Sequence, residues 1–137
     1  MAGVKELIRT EDNNTISFGD YELTQKSKLT GYEFNGDIYK VKTYDEITKL
    51  EKNDMFVYES VPGTAVTYFQ VTEDGVSFTV EGDKDAQITL ELEDNTEYLV
   101  KINGEKAGFI ESNMSGKLTF SVELENVDKV DVEIIKE

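Results

Sequence analysis

Apolar and polar residues alternate with a period of two along most of this chain, which confines it to strands with one buried and one wet face. The clearest runs are Val76, Phe78, Val80; Ile88, Leu90, Leu92; Tyr98, Val100, Ile102; Leu118, Phe120, Val122, Leu124; and Val130, Val132, Ile134. Between them stand Asp74-Gly75, Gly82-Asp83, Asp94-Asn95, Asn103-Gly104 and Ser115-Gly116, residues that supply the positive φ of tight hairpins. A strand about every 10 to 12 residues predicts an all-β chain folded as an antiparallel β-sandwich, Ig-like or jelly-roll-like.

The first half is β-rich but less regular. Strands are expected over Val4 to Arg9, Thr15 to Phe18, Tyr21 to Lys26, Ile38 to Thr43 and Met55 to Ser60, with Val127 to Lys136 closing the chain. Residues 44–52 support two readings. Thr43-Tyr44-Asp45-Glu46 has the form of a helix capping box, whereas Asn53-Asp54 ahead of Met55-Phe56-Val57-Tyr58 reads as a hairpin turn. The β-branched and aromatic flanks favour the hairpin, with one short helix as the alternative. The 137 residues make one domain, large enough for a core that needs neither disulfides nor a structural metal. The only proline, in Val61-Pro62-Gly63-Thr64, marks a division into an irregular lobe, 1–62, and a regular sandwich lobe, 63–137.

Composition removes whole chemistries. With no Cys, His or Trp, the chain has no Cys–His nucleophile pair, no zinc site of the usual kind and no thiol switch. Fourteen basic against 29 acidic residues give a net charge of −15, and no Lys/Arg stripe runs along the sequence. Nucleic acid and anionic membrane surfaces are therefore not expected partners. No apolar run approaches the roughly 18 residues that would span a bilayer. The start, Met-Ala-Gly-Val-Lys-Glu-Leu-Ile-Arg, lacks the pattern of a secretory signal. That predicts a cytoplasmic chain as given, or a cell-surface or extracellular one whose signal was removed or whose export is non-standard.

Three site chemistries remain. Carboxylates at i and i+2, as in Glu91-Leu92-Glu93 or Glu123-Leu124-Glu125, share the wet face of a strand, where they keep ordinary pKa values and guard the edges. No acid pair stands out for glycoside hydrolysis. Calcium is the one cofactor candidate, with Asp83 and Asp85 as ligands in the loop Asp83-Lys84-Asp85. Lys84 opposes it, and turns demand such residues for backbone reasons alone. Tyr21, Tyr32, Tyr39, Tyr44 and Tyr58 crowd the first half, and an exposed cluster of them would form a platform for carbohydrate.

The segments Gly36-Asp37-Ile38-Tyr39-Lys40-Val41-Lys42-Thr43, Phe56-Val57-Tyr58-Glu59-Ser60-Val61-Pro62-Gly63-Thr64 and Ser115-Gly116-Lys117-Leu118-Thr119-Phe120-Ser121-Val122 give the chain a more specific look. Over nearly its full length it resembles a group of short, uncharacterised bacterial all-β proteins, some of which bear an endosialidase label. The second half also resembles the accessory β-sandwich domains of polysaccharide-degrading enzymes. The label implies a sialic-acid carboxylate clamped by several arginines, and Arg9 is the only arginine here. It also implies a propeller and a trimeric stalk, which 137 residues cannot contain. No functional residue carries over.

These readings converge on a non-catalytic β-sandwich that works by self-assembly or by docking to another protein. Carbohydrate binding through the tyrosines is the alternative, and a carboxylate-based glycoside hydrolase comes third.

Overall fold

The computed structural model describes residues 3–137. Met1 and Ala2, on which part of the leader reading falls, lie outside the described residues. In chain order the strands among them are β1 (Ile8–Thr10), β2 (Ile16–Phe18), β3 (Ser27–Phe34), β4 (Asp37–Tyr44), β5 (Ile47–Lys52), β6 (Met55–Val61), β7 (Ala65–Thr72), β8 (Gly75–Glu81), β9 (Ala86–Glu91), β10 (Glu97–Ile102), β11 (Glu105–Glu111), β12 (Lys117–Val122) and β13 (Val130–Lys136). They form a seven-stranded sheet, β1-β2-β7-β8-β13-β10-β11, and a six-stranded sheet, β12-β9-β6-β5-β4-β3. All pairings are antiparallel, and the two sheets pack as a β-sandwich.

Alternation does the folding. The inward residues of β8, β9, β12 and β13, among them Phe78, Val80, Ile88, Leu90, Leu118, Phe120, Val132 and Ile134, form one buried cluster with Phe18, Val41, Leu50, Tyr58 and Phe69. At its centre four rings meet. Phe18 lies edge-on to Tyr58 at 5.2 Å and to Phe69 at 5.6 Å, and Tyr58 lies edge-on to Phe78 at 5.8 Å. Such pairs are worth about 0.5–1.5 kcal/mol each beyond the area they bury.

Residues 44–52 form no helix. They complete β4, turn at Asp45-Glu46 and enter β5, whose hairpin with β6 turns at Asn53 and Asp54, both at positive φ (51° and 65°). Two expected strands fail, one in part. Val4 to Arg9 is strand only from Ile8, because Lys5 and Glu6 form a turn closed by the Leu7 N–H on the Val4 carbonyl at 3.0 Å. Tyr21 to Lys26 is turn rather than strand, because the Asp20 carboxylate accepts the Glu22 N–H at 3.1 Å and the Asp20 carbonyl accepts that of Leu23. The strand follows at β3.

Pro62 stands where the chain crosses from one sheet to the other, since β6 lies in the six-stranded sheet and β7 in the seven-stranded one. The segments on its two sides are interleaved: β2 pairs with β7, and β6 pairs with β9. Around the crossing the core is polar but satisfied. Thr64 Oγ1 bonds the hydroxyls of Tyr58 (2.8 Å) and Ser60 (2.7 Å), while Thr48 Oγ1 donates to the Thr64 carbonyl and meets Thr43 Oγ1, both at 2.8 Å. Gly63 is required here because a Cβ would run into the carbonyl of Tyr44.

Candidate functional site

A hollow of about 560 Å³ lies against the seven-stranded sheet and is lined by Tyr21, Tyr68, Thr79, Glu81, Asp83 and Asp128 among others. A second of about 280 Å³ continues along the sheet past Gln70, Ser77 and Asp131. Tyr68 and Thr79 line both.

Tyr68 owes its position to a bulge. The register of β7 on β8 slips between Thr67 and Gln70, and Tyr68 takes the left-handed conformation, φ 56°, with half of its surface exposed. A bulky residue rarely adopts that backbone, so the surroundings must hold it. The Tyr68 N–H donates to Ser17 Oγ at 3.1 Å, and Ser17 in turn donates to Glu11, which also accepts Arg9 Nε at 2.9 Å. Burial pushes the Glu11 carboxyl up, but the hydrogen bonds from Ser17 and Arg9 outweigh it and hold its pKa below the ordinary carboxylate value. The chain's one arginine is thereby paired, with Glu11 and with Glu6 at 3.5 Å.

The five tyrosines singled out in the sequence do not meet on one face. Tyr58 is fully buried, and burial raises its hydroxyl pKa against the opposing bonds from Thr64 and Ser60. Tyr39 is buried edge-on to Phe34 at 6.1 Å, and burial followed by the charge of Asp37 raises its pKa. Tyr32 is half-buried, its hydroxyl 2.7 Å from Thr10 Oγ1. Tyr44 lies on the other sheet with the Lys26 ammonium 5.9 Å from its ring centre. Only Tyr21 reaches the hollow, where burial first and then the charges of Glu81 and Asp83 push its pKa up to about 12. Tyr68, absent from that set, is the exposed one.

Asp83 and Asp85 part company. Asp83 sits at the rim of the hollow, whereas Asp85 Oδ1 accepts the N–H groups of Leu124 (2.9 Å) and Glu125 (3.1 Å), so that it braces the loop after β12. Glu81 Oε1 accepts the Gly3 N–H at 3.2 Å. Among the described residues no three acidic side chains converge as a metal site would need. The hollow thus offers one exposed aromatic ring beside hydroxyls, carboxylates and the cations Arg9 and Lys129, groups that suit a polar ligand or a partner's backbone.

No family model matches this sequence, and no curated protein and no solved structure matches it either.

Proposed function

We propose that this protein is a non-catalytic β-sandwich module that acts through its surfaces, by assembling with copies of itself or docking to another protein, without calcium or any other cofactor. The observation that carries this reading is the edge of the seven-stranded sheet. β11 is seven residues long, largely exposed, and paired on one side only, with β10. Its Phe109 is 55% exposed. An uncovered edge of that length is a template for an added strand. A bulge at Ala107, the extra residue between Gly108 and Lys106 in register, is the only irregularity along it.

The test is light scattering over a wide protein concentration range at two salt concentrations. A mass above the monomer is expected, strengthening as salt screens the charge, and Ala107→Pro should reduce it, because proline removes a donor at a position where bulged edges tolerate it. A monomer mass at both salt concentrations would sink the assembly reading. A second reading rests on Tyr68, whose strained, exposed ring above a polar hollow suits the face of a sugar. Retardation in polysaccharide-containing gels that Tyr68→Ala abolishes would move the assignment there.

A further inference from the structure

Strand pairing assembles a row of like charges that is not visible along the chain. Lys28 of β3, Lys42 of β4 and Lys49 of β5 stand directly opposite one another in register, and Glu59 of β6 closes the row opposite Lys49. The burial alternation of β4 and β5 turns them to the outer face of the six-stranded sheet. Lysines so placed are about 5 Å apart at Cβ and repel one another. With Lys40 and Glu51 they line a shallow hollow of about 110 Å³. Glu51 is shared between Lys40 (3.1 Å) and Lys49 (3.7 Å), and among the described residues Lys28 and Lys42 have no ion pair. Four lysines against one glutamate leave 4 − 1 = +3 in this hollow, so the rest of the chain carries −15 − 3 = −18.

The opposite row lies on the other sheet. Glu97 of β10 faces Glu111 of β11 in register, and the Glu137 N–H bonds to the Glu97 carbonyl at 3.0 Å, which extends the row. Both rows have an apolar neighbour. Beside the glutamates, Leu99, only 8% exposed, stands between Phe109 and Ile135 in register, outside the main core cluster. Beside the lysines, Tyr44 faces Ile47, with Lys26 on its β3 side 5.9 Å from the ring centre; Val61, 51% exposed, lies one strand further on, on β6.

We propose that these two outer faces are the two halves of one interface between copies of this chain. The lysine row of one copy seats on Glu111, Glu97 and Glu137 of the next, and beside it Tyr44 seats on Leu99, with Ile47 and the stem of Lys26, one to each side of Tyr44, over Phe109 and Ile135. This specifies a partner surface for the self-assembly reading above and rests on it, but it uses sheet faces rather than the β11 edge. Strands about 4.8 Å apart with same-face residues about 6.8 Å apart give both patches the same two-by-three grid. Like charges opposite one another are destabilising, and the glutamate row supplies the counter-charge that Lys28 and Lys42 lack, Lys49 having Glu51 and Glu59 beside it. The two patches differ, so the contact is heterologous and propagates as an open stack. Six side chains a side fall short of the roughly 800 Å² per partner of a standard interface, which makes the association weak and dependent on concentration.

Sedimentation equilibrium on the full chain, up to about millimolar concentration, tests this with Lys42→Glu, Glu97→Lys, the double variant, and an equimolar mixture of the singles. Both positions lie outside the core cluster, and circular dichroism checks the fold. The wild type should grow in mass with concentration, and each single variant should associate about tenfold more weakly. The mixture should also assemble, as a stack in which the two variants alternate, because each junction then pairs either two unchanged faces or two swapped ones. The double variant should recover assembly, which lost folding could not produce. Single variants that assemble like the wild type, or a double variant as weak as the singles, would overturn the proposal. So would a wild type that stays monomeric but binds poly-glutamate through Lys42, since that gives the lysine face to a foreign acidic partner. If Ala107→Pro abolishes assembly and the charge swaps do not affect it, the edge reading survives and this one fails; the reverse result keeps the face stack and removes the edge.

Discussion

Thr64 carries more of the fold than a threonine usually does, because its one hydroxyl bonds both Tyr58 and Ser60 where all three residues are fully buried. Thr64→Val keeps the shape and leaves two buried hydroxyls to find new partners, each costing about 1–3 kcal/mol if it fails. The expected loss is about 2–3 kcal/mol of unfolding free energy, read from the denaturation midpoint at unchanged slope. Tyr58→Phe should cost less, since Thr64 and Ser60 still bond one another. A Thr64→Val protein as stable as the wild type would show that the network is not needed. The same residues show why the tyrosines could not be sorted from sequence. Whether a ring is core or platform is decided by residues far along the chain: Phe18 and Phe78 close over Tyr58, while Thr10 meets Tyr32. Tyr68 did leave a trace. Val66 and Phe69 both point inward although three positions apart, so an extra residue must be absorbed between them, and Tyr68 is thrown outward beside the bulge.

The hairpin of β5 and β6 shows an element set by its turn. Asn53 and Asp54 both sit at positive φ, and the Asn53 side chain ties the turn to β4 by accepting the Ile38 N–H at 3.0 Å and donating to Asp37 at 2.9 Å. Asn53 is therefore committed, whereas Asp54 bears backbone strain that glycine relieves, as the asparagine–glycine preference of such turns reflects. Asp54→Gly should stabilise by about 0.5–1 kcal/mol, a rise of roughly 2–4 °C in the thermal midpoint, while Asn53→Ala should lower it. An Asp54→Gly midpoint at or below the wild type would show that the aspartate makes a compensating contact. Elements were legible where alternation and turn chemistry agreed, as along β8, β9, β12 and β13. They were not legible where side chains overrode the pattern: Asp20 diverts Tyr21 to Lys26 into a turn. β11 was missed because an edge strand that buries little carries little of the alternating signal.

At the scale of the molecule the question is whether Pro62 separates two folding units. Each sheet draws strands from both sides of it, and the central rings come two from each side, Phe18 and Tyr58 before it, Phe69 and Phe78 after it. Separated segments would leave those inner faces in water, with no partner strand for β2 on β7 or for β6 on β9. At about 25 cal/mol per Å² the exposed aromatic area alone outweighs what a half-sheet could recover from local pairing. Residues 1–62 and 63–137 produced separately should therefore both be unfolded by circular dichroism. The intact chain should unfold in one transition in which near-ultraviolet tyrosine signal and far-ultraviolet backbone signal coincide. Because these pairings join distant parts of the sequence, refolding should take milliseconds to seconds rather than microseconds. Two separated transitions, or a folded 63–137 segment, would restore the division at Pro62 as a boundary between lobes.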